Sequence, residues 1–217
     1  MIYKTFPQLV DLIVAKLGLN NRMSETIQKV KTFARQNSKQ EDIHGFPHVM
    51  RVYTTCMELA NLFDVNLDIL KISALLHDTG RVREDTENRN HAELSAEMTK
   101  SFLNSTNLGL SKLAEERIIH CIRSHSFSNG VFPETIEAKI LSDADKLDAL
   151  GSIGLYRTIG FTIKNGGGLA QVIDHLENKI LKLKDLLYLD ETKQMAQEKH
   201  RFILEFYQKL EANLGSR

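Results

Sequence analysis

The chain has 217 residues, of which 42% are hydrophobic and 26% charged, so it is long enough and apolar enough to bury a substantial core. Its 28 basic and 28 acidic residues cancel, which excludes a global field that would draw the protein to duplex nucleic acid or anionic lipid. The two cysteines, Cys56 and Cys121, lie among apolar neighbours and indicate core positions rather than a disulfide. Asp11 interrupts the apolar N-terminal stretch and no cleavage site follows, so we expect a cytoplasmic protein without a membrane segment.

The first half of the chain carries helical patterns. The apolar residues of segment 27–34 share one helical face, with Ser24 as the predicted N-cap. A second stripe over residues 49–63 follows the i, i+3, i+4, i+7 spacing. Asn90, with Glu93 three residues later, predicts the capped start of a helix that continues to about residue 103.

The second half continues in the same way. Ser111 is the predicted N-cap of one helix, and Pro133 is expected in the first turn of the next. A glycine-rich stretch at residues 165–168 ends a helix, and two long amphipathic helices are predicted at about 169–187 and 191–213. Because alternation with period two is nowhere sustained, we predict an all-α protein of roughly eight to ten helices.

One polar pair interrupts this apolar pattern. In the stretch ALLHDTGR, an apolar run ends in His77 and Asp78, while His48 opens a helix in HGFPHVMRVY and Asp145 lies in LSDADKLDALG. Two imidazoles and two carboxylates suit a divalent ion such as Mn, Fe, Co, Ni or Mg, and no thiolate pattern favours structural zinc. An ion with four protein ligands keeps positions for water and a substrate oxygen, so it lowers the pKa of water and polarises a phosphoryl group.

These three motifs together resemble the HD-domain superfamily of metal-dependent phosphohydrolases, whose pattern is His, then His-Asp, then Asp on an all-α helical bundle. The resemblance covers roughly residues 25–160 and continues less specifically through the last helices. We therefore expect residues 1–217 to form a single HD-type domain, with the C-terminal helices at about 169–213 packing on the core that carries the motifs. The resemblance implies that four residues bind one divalent ion: His48, His77, Asp78 and Asp145.

Two further aspartates flank Asp145. Asp143 lies about 200° around a regular helix from Asp145, so both cannot face one ion, and Asp145 is the one that fits the family register. Asp148 lies three residues after Asp145 on nearly the same face. We interpret Asp148 as a partner of a site residue or as a substrate contact, with a surface salt bridge as the alternative.

His91 and His125 correspond to positions where two-metal members of the superfamily carry extra histidine ligands. Those members commonly have a second adjacent histidine and a glutamate, where this chain has Ser124 and Ser126. We therefore expect His91 and His125 to bind substrate phosphate or water. A second metal ion is the less favoured alternative.

Charge that develops on a phosphoryl group must be neutralised during hydrolysis. Arg81 and Lys146 resemble basic positions that approach phosphate in this superfamily, so we assign them catalytic roles together with Asp78. The alternative for each basic residue is a solvated cation at a helix end.

The general acid stays open at this level. Glu84 and Asp85 follow the His-Asp motif closely enough to reach a leaving group, but they are equally typical of a plain surface. Alarmone hydrolases of the superfamily carry a Glu-Asp pair where this chain has Arg81 and Val82, which argues against that activity.

The remaining basic and imidazole side chains are predicted to be structural, paired or solvated. His120 is expected to be structural, His44 to lie on the surface, and Arg51 to form an ion pair. The residues expected to be solvated or paired are His175, His200, Lys179, Lys182 and Lys184.

The favoured function is a metal-dependent phosphohydrolase that uses a metal-activated water on a nucleotide or another phosphate ester or anhydride. The resemblance to small stand-alone bacterial members, carried by HAELSAEM and IRSHSFSNG, implies nucleoside triphosphate pyrophosphohydrolase activity as one form. A homodimer is compatible with this function. The alternatives are a non-catalytic metal- and nucleotide-binding regulatory module, or a helical adaptor in which Asp78 and Asp145 lie more than about 8 Å apart.

Overall fold

Helices account for all the regular secondary structure in the computed structural model, which describes residues 23–215. A first helix, α1, occupies residues 23–36 of this part. The following helices are α2 (Phe46–Ala60), α3 (Leu67–Leu76), α4 (Arg81–Glu87), α5 (His91–Thr106), α6 (Lys112–His125), α7 (Ile136–Asp148), α8 (Gly151–Lys164), α9 (Leu169–Asn178) and α10 (Asp190–Gly215). Two 3-10 segments lie at Phe127–Asn129 and Ile180–Leu186. Residues 23–215 contain no strand, so the prediction of an all-α protein is confirmed.

Local side-chain chemistry sets several helix starts as predicted. The Asn90 side chain accepts a hydrogen bond from the Ala92 amide at 2.8 Å, and the Ser111 hydroxyl accepts one from the Ala114 amide at 3.2 Å. The prediction for Ser24 is wrong, because the chain is already helical at residue 23.

Two other boundaries differ from prediction. Helix α7 begins at Ile136 rather than at Pro133, since the Thr135 hydroxyl accepts a hydrogen bond from the Ala138 amide at 3.2 Å and caps the helix there. The helix predicted over 169–187 breaks at Lys179, whose φ of −128° is not helical, and continues as a 3-10 segment. Apolar residues three apart satisfy both kinds of helix, so the pattern did not reveal the break.

The main core lies between α2, α3, α5, α6 and α7, with α1 packed against it. Cys56 and Cys121 are both fully buried there as free thiols, as predicted. Its largest buried side chains include Leu59, Leu70, Ile72, Leu75, Leu76, Ile118, Ile122, Ile140 and Leu141. Each such side chain contributes roughly 1.5–3 kcal/mol by leaving water. This burial fixes where the first turn of α2, the end of α3 and the middle of α7 face one another.

A second core joins α8, α9, the later 3-10 segment and α10 to the end of α7. Leu147 and Leu150 enter it from the α7 side, and Leu176 and Ile203 from α9 and α10. Asp143, fully buried on α7, accepts hydrogen bonds from the Leu189 amide at 2.9 Å and the Thr192 hydroxyl at 2.6 Å. The start of α10 is therefore tied directly to the helix that carries Asp145.

The longest helix, α10, has 26 residues and is mostly exposed. Only Thr192, Ala196 and Ile203 are buried along it. Among the helices of residues 23–215, none combines the length and the apolar character that crossing a membrane requires.

Candidate metal centre and cleft

The four predicted ligands meet at one point. The Nε2 atom of His48 lies 3.3 Å from Asp145 Oδ1, 3.4 Å from Asp78 Oδ2 and 3.3 Å from His77 Nε2. His48 comes from the first turn of α2, His77 and Asp78 follow α3, and Asp145 projects from α7. Since Asp78 and Asp145 both contact the same nitrogen, the helical-adaptor alternative does not fit this geometry.

The Nδ1 protons of the two imidazoles point away from the meeting point. His48 Nδ1 lies 2.7 Å from Asp148 Oδ2, and His77 Nδ1 lies 2.9 Å from the Ala74 carbonyl oxygen. Because Nδ1 donates in both contacts, the Nε2 lone pairs of neutral rings face each other across 3.3 Å. Such an arrangement is stable when a cation or proton lies between the rings, and holding Nδ1 in this way is typical of metal ligands. The donor set fits a divalent metal ion.

Both carboxylates of the centre are ionised. Burial alone would raise the pKa of Asp78, but Arg81 and His77 hold that pKa well below its usual range. Burial likewise opposes ionisation of Asp145, and the hydrogen bond to His48 outweighs it and keeps the pKa of Asp145 well below its usual range. The centre therefore offers two negative oxygens to a cation.

The two histidines are held in different charge states. Burial lowers the pKa of His77 to about 4, so this ring is neutral and ready to ligate. Burial and Arg157 also lower the pKa of His48, but hydrogen bonds to Asp145, Asp148 and Asp78 outweigh them and raise it to about 9. A metal ion that binds Nε2 of His48 must displace this proton.

A second set of open atoms lies on the other side of Asp78. Its Oδ1 atom is buried, lacks a hydrogen-bond partner among the described residues, and lies 3.6 Å from His91 Nε2 and 3.6 Å from His125 Nε2. His125 donates from Nδ1 to the Ile122 carbonyl at 2.6 Å, which leaves its buried Nε2 atom next to Asp78 without a hydrogen-bond partner among the described residues. The structure thus brings both predicted substrate-binding histidines to the centre.

Arg81 lies against the centre rather than in solvent. Its Nε donates to Asp78 Oδ2 at 2.6 Å, and its two terminal nitrogens contact Glu84 Oε2 and His91 Nε2, each at 3.2 Å. His91 Nδ1 in turn lies 3.1 Å from the other oxygen of Glu84. Glu84 therefore holds Arg81 and His91 beside Asp78.

Lys146 is also not a solvated cation, because only 4% of the residue is exposed. Its ammonium group donates to the Ser142 hydroxyl at 2.6 Å and lies 5.0 Å above the Tyr188 ring. Burial lowers the pKa of Lys146, although Asp143 and Asp145 oppose this. The side chain lines the cleft described below, and its contact with a substrate phosphate stays a prediction.

Asp148 lies behind His48, where three side chains occupy its carboxylate. Besides His48, it accepts hydrogen bonds from Arg51 Nε at 2.7 Å and from Arg157 at 2.7 Å. Of the two roles expected for Asp148, this geometry fits the partner of a site residue rather than the substrate contact, because both carboxylate oxygens accept from protein donors. Arg51 forms the predicted ion pair.

The centre lies in a cleft of about 660 Å³. Its walls include Arg81, Glu84, Lys146 and Arg157 near the centre, and His44, Phe161, His175, Lys179 and Lys182 further out. His44 is half-buried there, with its ring 5.3 Å from that of Phe161, so the prediction that His44 lies on the surface is wrong. Packing of α8 and α9 beside residues 39–45 creates this wall.

Neither Arg157 nor Phe161 was predicted from the sequence to belong to the site. Arg157 is buried in α8 and donates to the Ile43 carbonyl at 2.6 Å as well as to Asp148. The position of Arg157 within the apolar stripe of α8 could have indicated a buried ion pair, since an arginine is rarely buried without a partner. A single phenylalanine such as Phe161 carries no comparable signal.

Comparison with known proteins shows which family this chain resembles. The sequence profile of the HD domain matches residues 45–150, a range that contains all four candidate ligands. YpgQ from Bacillus subtilis is 31% identical over 180 residues, which make up 79% of this chain and 84% of that protein. The chain belongs to the HD-domain family. His77 and Asp78 lie within the range that matches the HD domain.

Solved structures share the HD fold of this chain. The crystal structure of Bacillus subtilis YpgQ has a TM-score of 0.71 and 27% identity, and the match covers 88% of this chain and 96% of that one. A crystal structure of YpgQ in complex with ADP has a TM-score of 0.68 and 27% identity over 86% of this chain and 97% of that one. An HD-superfamily hydrolase from Bacillus thuringiensis matches with a TM-score of 0.67 and 25% identity, covering 90% and 100% of the two chains.

Proposed function

We propose that this chain is a divalent-metal-dependent phosphohydrolase that acts on nucleotides. The observation that carries the proposal is the convergence of two imidazoles and two ionised carboxylates at one point in a cleft of about 660 Å³. Pockets of roughly 300–1,000 Å³ enclose ligands of nucleotide size. His48, His77, Asp78 and Asp145 would hold the ion, since the other three all lie within 3.4 Å of His48 Nε2.

The chemistry follows from the donor set. A bound divalent ion would lower the pKa of a water molecule and polarise a phosphoryl oxygen. Asp148 and the Ala74 carbonyl orient His48 and His77 so that their Nε2 atoms point to the place where the ion would bind. These contacts remove the need to reorganise the ligands when the ion binds.

Phosphate oxygens would be held by the groups beside the ion. Arg81 supplies a guanidinium next to Asp78, and His91 and His125 place their Nε2 atoms 3.6 Å from its second oxygen. Lys146 lines the same part of the cleft. Such fixed charges and dipoles stabilise the negative charge of a phosphoryl group in the transition state.

Glu84 and Asp85 are not favoured as general acids. Hydrogen bonding to His91 and the nearby charge of Arg81 lower the pKa of Glu84 to about 2, although burial opposes this, so the carboxylate is ionised at neutral pH. Asp85 pairs with Lys39 at 2.9 Å. We assign Glu84 the role of positioning Arg81 and His91.

The favoured substrates are nucleoside triphosphates cleaved to monophosphate and pyrophosphate. Two observations support a nucleotide: the size of the cleft, and the ADP present in one crystal structure of the related YpgQ. The basic side chains of Arg81, Lys146 and Lys182, which line the cleft, suit a chain of several phosphates.

A substrate screen tests this function. Purified protein is supplied with Mn, Co, Ni or Mg and incubated with nucleoside mono-, di- and triphosphates, and phosphate and pyrophosphate release are measured separately. We expect metal-dependent release that His77→Ala abolishes. Tight nucleotide binding without any product under all four metals would contradict the enzyme and favour a regulatory module.

A further inference from the structure

One wall of the cleft has no role in holding a metal ion or a phosphate. It consists of His44, Phe161, His175 and Lys179, which we call the aromatic arm. The ring centroids of His44 and Phe161 are 5.3 Å apart, and those of Phe161 and His175 are 5.8 Å apart. Three rings from the loop before α2, from α8 and from α9 thus contact one another edge to face.

The aromatic arm begins next to the metal centre. The His44 ring lies 6.5 Å from the ring of His48 and 5.3 Å from the ring of Phe161. A ligand that reaches from the centre to Phe161 therefore passes only one intervening ring. Phosphate and base of a nucleotide are separated in a comparable way, by a single sugar.

Specific contacts hold the aromatic arm in place. Arg157 donates to the Ile43 carbonyl at 2.6 Å and to Asp148, so one guanidinium connects the loop carrying His44 to the carboxylate behind His48. Gly160 permits this close approach, because a Cβ atom there would lie 2.8 Å from the Ile43 side chain. The Arg157 hydrogen bonds therefore hold the loop that carries His44 beside α8.

The exposed ring of Phe161 and the neighbouring donor Lys179 favour a planar ligand group with hydrogen-bond acceptors at its edge. Phe161 leaves 40% of its surface exposed although it faces a cleft with polar walls. Lys179, which also lines the cleft, is the cation of the arm and can donate hydrogen bonds to the edge of a heteroaromatic ring. A stack of base on aromatic side chain contributes about 1–3 kcal/mol and accepts every base, since every base has a π-face.

We propose that the aromatic arm binds the base of the nucleotide, with Phe161 as the stacking residue, while the reacting phosphate lies at the metal centre. This inference rests on the proposed function. It attributes the preference for a nucleotide over inorganic polyphosphate to Phe161. It also predicts that the protein binds nucleotides with different bases about equally well.

Fluorescence tests the inference without turnover. The chain contains no tryptophan, so Phe161→Trp introduces a single indole in the aromatic arm. Titration with AMP, ADP and inorganic tripolyphosphate, with circular dichroism to check folding, is expected to give saturable quenching by both nucleotides and none by tripolyphosphate. Absence of quenching by either nucleotide, or equal quenching by tripolyphosphate, would overturn the inference.

Kinetics give an independent test with a matched control. Phe161→Leu keeps an apolar side chain but removes the ring, and we expect KM for nucleoside triphosphates to rise about tenfold or more. Hydrolysis of tripolyphosphate should not change. Phe202→Leu replaces a phenylalanine on α10 that is 47% exposed and does not line the cleft, and it should leave both reactions as in wild type.

The outcomes separate the two proposals. If wild type hydrolyses nucleotides and Phe161→Leu leaves KM unchanged, or impairs tripolyphosphate equally, the aromatic arm is not the base site while the enzyme proposal stands. If wild type hydrolyses nothing, the enzyme proposal fails, and the fluorescence titration still decides whether the arm binds nucleotides.

Discussion

At the scale of single residues, two aspartates three positions apart on α7 have different tasks. Asp145 faces the metal centre, while Asp148 lies behind His48 and accepts its Nδ1 proton at 2.7 Å. Arg51 and Arg157 neutralise Asp148, so its charge is kept in a nearly buried position. One helix thus carries both a candidate ligand, Asp145, and the residue that orients another candidate ligand, His48.

Replacing the orienting carboxylate should weaken metal binding. We expect Asp148→Asn to lower the affinity for Mn²⁺ by about 10- to 100-fold, because an amide no longer holds the His48 ring as an ionised acceptor does. Competition with a chelator measures this affinity. Asp64→Asn, at an exposed position between α2 and α3, is the control and should bind as wild type does. Equal affinity in Asp148→Asn would show that His48 needs no such partner.

At the scale of elements, the turn after α3 must approach α5 closely to bring His91 and Asp78 together. Gly80 lies in this turn and donates its amide hydrogen to the Ser95 hydroxyl at 2.8 Å. A Cβ atom at Gly80 would lie 2.4 Å from the Ser95 backbone nitrogen and 2.5 Å from the His91 carbonyl oxygen. Backbone atoms of a helix cannot move aside as a flexible side chain can.

Adding one methyl group at this contact should therefore be costly. We expect Gly80→Ala to destabilise the protein by about 1–3 kcal/mol and to reduce activity further, since α5 carries His91 away from Asp78. Urea denaturation measures the loss of stability. Activity assays under conditions in which the variant is fully folded measure the separate loss of activity. Gly215→Ala, where a Cβ meets nothing within 4 Å, serves as the control. Wild-type stability and activity in Gly80→Ala would refute the close contact.

Helix existence and several caps could be predicted because they depend on nearby residues. Asn90 and Ser111 cap their helices through amides two or three residues away, so sequence pattern was sufficient. The start of α7 was predicted wrongly from Pro133, because a proline suits both a first helical turn and the loop before it. The Thr135 hydroxyl caps the helix instead.

Part of the site could likewise be predicted from the sequence, and part could not. The positions His48, His77, Asp78 and Asp145 could be named from their motifs, and the structure brings them together. The wall formed by His44, Phe161 and His175 could not, since it arises from the packing of α8 and α9 against a distant loop. Tertiary packing leaves no periodic trace in the residues that it brings together.

At the scale of the whole molecule, α7 connects two hydrophobic cores. Its first part packs with α2, α3 and α6, and its end enters the core formed with α8, α9 and α10. Asp143 joins them by accepting hydrogen bonds from the Leu189 amide and the Thr192 hydroxyl. The aspartate two residues from Asp145 therefore serves architecture, in agreement with the assignment of Asp145 rather than Asp143 to the ion.

Removing this connection should lower stability in a graded way. We expect Asp143→Ala to reduce the free energy of unfolding by about 3 kcal/mol, because several buried donors lose a charged acceptor. Thr192→Val removes one donor and should cost about 1 kcal/mol. Chemical denaturation measures both. If Asp143→Ala loses no more than Thr192→Val, the carboxylate is not the link between the cores.

The central claim is that the convergent histidines and aspartates form a metal centre, and a titration with Mn²⁺ at neutral pH tests it most directly. We predict one tight site per wild-type chain, lost in folded His77→Gln and kept in His200→Gln, whose histidine lies on α10 outside the cleft. A wild-type chain without a tight site, or tight binding that survives His77→Gln, would contradict the claim.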